Sequence, residues 1–126
     1  MTDAPSQPCI LVVEDEPMVG MLLEDLLDAS GYRVLLAEEL AGGLALARAE
    51  SVNAAILDVT LGRDDSFPLA DELSRSGIPF LFASGYGGEG IPQRFGDVPT
   101  LQKPYDMKAL KAALATLLDT CQDTPR

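Results

Sequence analysis

Short runs of β-favouring apolar residues recur along this chain, and several stop abruptly at a charged or hydroxyl side chain. Ile10-Leu11-Val12-Val13 runs into Glu14-Asp15-Glu16, Ala54-Ala55-Ile56-Leu57 ends on Asp58, and Pro79-Phe80-Leu81-Phe82-Ala83 ends on Ser84. An apolar run without polar alternation suits a strand buried on both faces, and such strands occur almost only in parallel sheets covered by helices on each side. Parallel strands bring their carboxyl ends to one edge, so these polar stops converge in one crevice, joined by Lys103 after Thr100-Leu101-Gln102.

The segments between the strands read as helices. Pro17 opens one whose Val19, Leu22, Leu23, Leu26 and Leu27 recur at helical spacing and are expected to pack on the sheet; Ser30-Gly31 stops it. Residues 32–37 follow as a strand. Residues 40–49 form a second helix, rich in alanine and leucine, whose small side chains allow a close approach to the sheet although Gly42-Gly43 weakens it. The third strand is read over 54–59 and Thr60 to Asp65 as a loop. Ser66 is the expected N-cap of a helix from Phe67 to Ser76, with Leu69, Ala70 and Leu73 on its apolar side. Phe80 and Phe82 share strand parity and are expected on one sheet face. Between residues 85 and 98, five glycines and one proline leave room for a short helix at most. A last helix is predicted over 105–118, with Met107, Leu110, Ala113, Leu114, Leu117 and Leu118 facing inward.

Five strands alternating with about five helical segments predict an α/β three-layer sandwich with a five-stranded parallel sheet and right-handed crossovers. The 126 residues suffice for one domain, read as a flexible segment over 1–8, the folded domain over 9–120 and a tail over 121–126. The polar start lacks the pattern of a signal peptide and no stretch has the length of a membrane span, so a cytoplasmic protein is expected. Cys9 and Cys121 lack framework spacing and are expected reduced.

Twenty acidic against nine scattered basic side chains give a formal charge of -11, which argues against nucleic-acid binding by this chain. The absence of histidine excludes imidazole acid/base chemistry, histidine metal ligands and a phosphohistidine carrier role. What remains is carboxylate, hydroxyl and lysine chemistry with a divalent cation. Carboxylates at adjacent strand ends, with no protein cation expected between them, favour a hard ion such as Mg2+. Asp15, Asp58 and the carbonyl of Thr60 are the candidate ligands, with Glu14 acting directly or through water. Asp58 is then a candidate nucleophile toward phosphorus, with the Ser84 hydroxyl and the Lys103 charge placed to serve the phosphoryl oxygens. The proline after Lys103 admits a cis bond that would turn the lysine inward. Glu16 and Arg94 read as solvated surface groups, and Tyr86 reads equally as a partner anchor or a cover over thin core.

With these residues in order, the chain resembles a response-regulator receiver domain over essentially its whole length. The resemblance implies a flavodoxin-like fold with strand order 2-1-3-4-5, Asp58 as phosphoacceptor, Glu14 and Asp15 as the acidic pair, Ser84 as the switch hydroxyl and Lys103-Pro104 as the Lys-Pro pair. It also implies a histidine kinase or histidine phosphotransfer protein as donor and a downstream protein partner. Pro79 to Gly87 resembles an atypical subgroup with the signature Pro-Phe-x-Phe-Ala-Thr-Gly followed by tyrosine and glycine, with serine here at the threonine place. Thr100 stands where many members carry an aromatic switch residue. This suggests switching by reordering of the glycine-rich segment after Ser84, read on that loop and on the outer side of the last helix.

Two rival functions share the same residues. A small Mg2+-dependent phosphohydrolase working through an aspartyl phosphate needs a substrate-covering cap, which the short loops do not supply. A phosphorylation-independent protein-binding receiver has no need of the intact acidic pair, acceptor, hydroxyl and lysine. The chain is not expected to be a conventional multiple-turnover enzyme, only to assist its own phosphorylation and dephosphorylation.

Overall fold

The computed structural model describes residues 7–85, 91–103 and 106–122. The expectations for Tyr86, the glycines up to Gly90, and the Lys103-Pro104 bond lie outside the described residues, as does the side chain of Cys121. In chain order the elements are β1 (Cys9–Val13), α1 (Pro17–Ala29), β2 (Arg33–Ala37), α2 (Leu40–Ala49), β3 (Ala54–Asp58), β4 (Thr60–Leu61), β5 (Asp64–Asp65), α3 (Phe67–Arg75), β6 (Phe80–Ser84), a 3-10 turn (Gln93–Phe95), β7 (Thr100–Gln102) and α4 (Met107–Gln122).

Five strands form one parallel sheet in the order β2-β1-β3-β6-β7, which is 2-1-3-4-5 when only the sheet strands are counted. Every residue of β1, β3 and β6 is buried, as their uninterrupted apolar runs require, while β2 and β7 are partly exposed edges. Strand parity divides the core in two. Leu11, Val13, Ala55, Leu57, Phe80 and Phe82 face Leu69, Ala70 and Leu73 of α3 together with Leu40 and Leu44 of α2. Ile10, Val12, Ala54, Ile56 and Leu81 face Leu23 and Leu27 of α1 and Leu110, Leu114, Leu117 and Leu118 of α4. The three-layer sandwich is therefore as the sequence pattern predicts.

Gly43 explains the glycine pair in α2. A Cβ added there would come within 2.9 Å of Leu69 Cδ2 and 3.1 Å of Val13 Cγ2, so the missing side chain lets α2 sit down on β1 and α3. On the same side Phe67, Phe80, Phe82 and Phe95 form an aromatic cluster with centroids 5.4–6.0 Å apart, mostly edge to face.

Some expectations need correction. Leu22 is exposed rather than packed on the sheet, because the buried stripe of α1 runs through Leu23 and Leu27 and leaves Leu22 beside Met18 and Met21 at the surface. Thr60 to Asp65 is a two-stranded antiparallel hairpin instead of a plain loop: Thr60 pairs with Asp65 and Leu61 with Asp64 around Gly62-Arg63. Gly62 has φ +64, and no non-glycine residue among those described has positive φ, as in a type II′ turn with glycine at its first central position. Ser66 occupies the N-cap position of α3 but its side chain makes no cap bond; Asp65 Oδ1 accepts the Phe67 N–H at 3.0 Å instead. Arg94 is not merely solvated, since it makes a two-pronged ion pair with Asp71 at 2.9 and 3.1 Å and lies 4.6 Å over the Phe95 ring. The pair ties the 3-10 turn to α3. The last helix continues to Gln122, beyond the predicted stop at Leu118.

Candidate functional site

Asp58 ends β3 opposite Ala83 of β6, and its side chain is almost wholly buried. Neighbouring strands hold the groups around it. Glu14 follows β1 and Ser84 ends β6, each buried, while Lys103 follows β7 and is partly exposed. The Lys103 N–H donates to the Ser84 carbonyl at 2.9 Å and the Val59 N–H to the Ala83 carbonyl at 3.0 Å, so main-chain bonds fix the spacing of three strand ends. A cleft of roughly 300 Å3 opens here, lined by Asp15, Glu16, Asp58, Thr60, Ser84 and Lys103 among others.

Lys103 bridges two carboxylates. Its Nζ lies 2.7 Å from Asp58 Oδ1 and 3.1 Å from Glu14 Oε1. This corrects the expectation that no protein cation stands between the acidic groups: β7 ends at Gln102, and the next side chain reaches into the space between β1 and β3. Glu14 is further occupied by the Glu16 N–H, which donates to Oε2 at 3.1 Å. Asp15, in contrast, is exposed, and its Oδ2 accepts the Gly62 N–H at 3.0 Å.

The electrostatics follow from burial. Loss of hydration pushes the Asp58 carboxyl up to about 8, and the neighbouring Glu14 carboxyl adds to the rise, against the opposing pull of Lys103. Burial alone would lower the Lys103 ammonium, but its contacts with Asp58 and Glu14 outweigh that and hold it above its ordinary value.

One oxygen each from Glu14, Asp15 and Asp58 lie within 4.8 Å of one another, a donor set suited to a hard cation. Asp58 Oδ2 is buried without a hydrogen-bond partner among the described residues. An orphaned carboxyl oxygen beside a second, exposed carboxylate fits Mg2+, and Thr60 borders the same cleft. The structure thus brings Glu14, Asp15, Asp58, Thr60, Ser84 and Lys103 together, with Glu14 and Asp58 both in contact with Lys103.

A model of the response regulator receiver domain family matches residues 10–115. The chain belongs to this family. Among solved structures, the receiver domain is similar to SdrG from Sphingomonas melonis Fr1, at 41% identity and TM-score 0.78 over 91% of this chain and 99% of that one. It is also similar to the non-phosphorylated HemR receiver domain from Leptospira biflexa, at 26% identity and TM-score 0.80 over 95% and 98% of the two chains. Among curated proteins, the transcriptional regulatory protein BaeR of Escherichia coli is 31% identical over 129 residues, covering 97% of this chain and 54% of that protein. The chain spans about half the length of the curated relatives it matches first. Among the described residues of this receiver domain no helix is long and apolar enough to cross a membrane.

Sequence reasoning missed the commitment of Glu14 to Lys103, the Arg94–Asp71 pair, the Asp65 cap on α3, and the bond from Gly62 to Asp15. The last had a signal, since Gly-Arg between Thr60-Leu61 and Asp64-Asp65 is a two-residue turn with glycine first.

Proposed function

We propose that this receiver domain accepts a phosphoryl group on Asp58 from a phosphohistidine donor, a histidine kinase or phosphotransfer protein, and signals by altering a protein-binding surface. The observation that carries the reading is the Oδ2 of Asp58, buried and without a hydrogen-bond partner among the described residues, at the edge of an acidic cleft, with Lys103 held against Oδ1. An oxygen of the ionised Asp58 carboxylate attacks phosphorus; the new O–P bond forms as the donor's N–P bond breaks, and the imidazole departs with that electron pair. Asp15, Asp58 and the Thr60 carbonyl are the groups that would hold Mg2+, with Glu14 positioning Lys103. Bound Mg2+ supplies positive charge to the phosphoryl oxygens. Lys103 neutralises another oxygen, and the Ser84 hydroxyl donates a hydrogen bond to the phosphorylated product. Ser84 precedes the glycine-rich segment, so its movement is the proposed start of the switch.

Mass measurement after incubation with a small phosphodonor tests this. The expected result is a single base-labile phosphoryl adduct that needs Mg2+ and is absent from Asp58→Asn. Turnover of varied organic phosphates without a stable adduct would favour the phosphohydrolase reading. Failure of both Mg2+ binding and adduct formation would favour a phosphorylation-independent receiver.

A further inference from the structure

The hairpin β4–β5 begins two residues after the acceptor and is held firmly. Val59 donates its N–H to Ala83 and accepts the Ser66 N–H at 3.0 Å, and Leu61 is buried in the core on the α2–α3 side. The base of the hairpin is thereby tied to β6 on one side and to the start of α3 on the other. In a two-residue turn the N–H of the first central residue lies outside the strand ladder and is available to another acceptor. Here it points at Asp15, whose Oδ2 it bonds at 3.0 Å across 47 residues of sequence. Asp15 is exposed on the loop after β1 and accepts no other protein hydrogen bond among the described residues, so this amide is what fixes its carboxylate. A bond to one oxygen of a ligating carboxylate sets the plane of the group and directs the other lone pairs, the usual office of a group behind a metal ligand.

We propose that the Gly62 amide is the positioning group for Asp15, so that the hairpin downstream of the acceptor pre-orients the β1-loop carboxylate toward Asp58 for cation binding. This rests on the reading of Asp15 as a cation ligand. Glycine matters because φ +64 is needed to present the amide in that direction. Asparagine tolerates positive φ best among the other residues, whereas a β-branched residue does not.

The test compares wild type with Gly62→Val and Gly62→Asn by Mg2+ titration calorimetry, with thermal unfolding as the check that each is folded. Gly62→Val is expected to bind Mg2+ about tenfold more weakly, with Gly62→Asn close to wild type. Phosphorylation of Gly62→Val at saturating Mg2+ is expected to recover nearly the wild-type maximum, a split that general loosening of the fold would not give. Unchanged Mg2+ affinity in folded Gly62→Val overturns the proposal. A second measurement holds even if that variant does not fold: in Asp15→Ala, the Gly62 amide proton should move upfield and exchange faster with solvent, and an unmoved resonance overturns the proposal. If wild type itself binds no Mg2+, the reading of Asp15 as a ligand fails, and with it the proposal, even where the amide resonance still reports the hydrogen bond.

Discussion

Lys103 Nζ lies 2.7 Å from Asp58 Oδ1, a partly exposed cation set against a carboxylate with almost no surface of its own. The same ammonium touches Glu14, so one positive charge serves two buried carboxylates. The site is short of positive charge, and its stability and chemistry both follow from that shortage.

The first consequence is a pH dependence of the cation-free protein. Asp58 is pushed up to about 8 from an ordinary 3.8, so between those values the folded state holds a proton that the unfolded state has released. The stabilisation from this group is fully present below about 3.8 and lost as pH rises through about 8. Urea unfolding in chelator at pH 5, 7 and 9 should show stability falling with pH more steeply in wild type than in Asp58→Asn. Parallel curves for the two proteins would contradict this. Mg2+ binding at pH 7 should release a proton, seen as a buffer-dependent binding enthalpy.

Removing the bridge should be costly. Lys103→Met leaves Glu14 and Asp58 buried without that cation, and since the Lys103 side chain keeps 25% exposure the loss belongs at about 2–3 kcal/mol, below the ~3–5 kcal/mol for breaking a fully buried pair. Mg2+ should restore more stability to this variant than to wild type. Chemical denaturation with and without Mg2+ measures both.

The two neighbouring glycines of α2 should respond in opposite directions. Gly42→Ala meets only Ala37 Cβ, at 3.6 Å, and should stabilise the protein by about 0.5–1 kcal/mol through helix propensity. Gly43→Ala drives a methyl group into Leu69 and Val13 and should destabilise it by about 1–3 kcal/mol. Equilibrium unfolding of the pair separates propensity from packing.

At the start of α3, Asp65→Ala should cost about 1 kcal/mol, because its carboxylate caps the Phe67 N–H. Ser66→Ala should change stability by no more than about 0.5 kcal/mol, because the buried hydroxyl has no hydrogen-bond partner among the described residues. A larger loss for Ser66→Ala than for Asp65→Ala would restore Ser66 as the cap.

The parts of the fold legible in the sequence are those governed by burial. Ile10 to Val13, Ala54 to Leu57 and Phe80 to Ala83 could be only interior strands, and the polar residues closing them had to meet at one edge. That reasoning reached Asp58, Ser84 and Lys103 without coordinates. It did not reach contacts set by local geometry: which acidic residue takes Lys103, which side chain caps α3, or where the Gly62 amide points. Glu14 and Asp15 are adjacent acidic residues, yet one turns under the sheet edge to meet Lys103 and the other stays at the surface on the hairpin amide. Leu22 failed for a related reason, since helical spacing alone does not say where the buried stripe of α1 ends.

Chemical trapping of the phosphorylated side chain decides whether Asp58 is the acceptor. The Mg2+-loaded protein is phosphorylated with a small phosphodonor, reduced with borohydride, which converts an aspartyl phosphate to homoserine, and sequenced by peptide mass spectrometry. Homoserine is expected at position 58 alone, dependent on both Mg2+ and phosphodonor. Hydroxynorvaline at Glu14, or homoserine at Asp15 or another aspartate, with Asp58 unmodified, would contradict it.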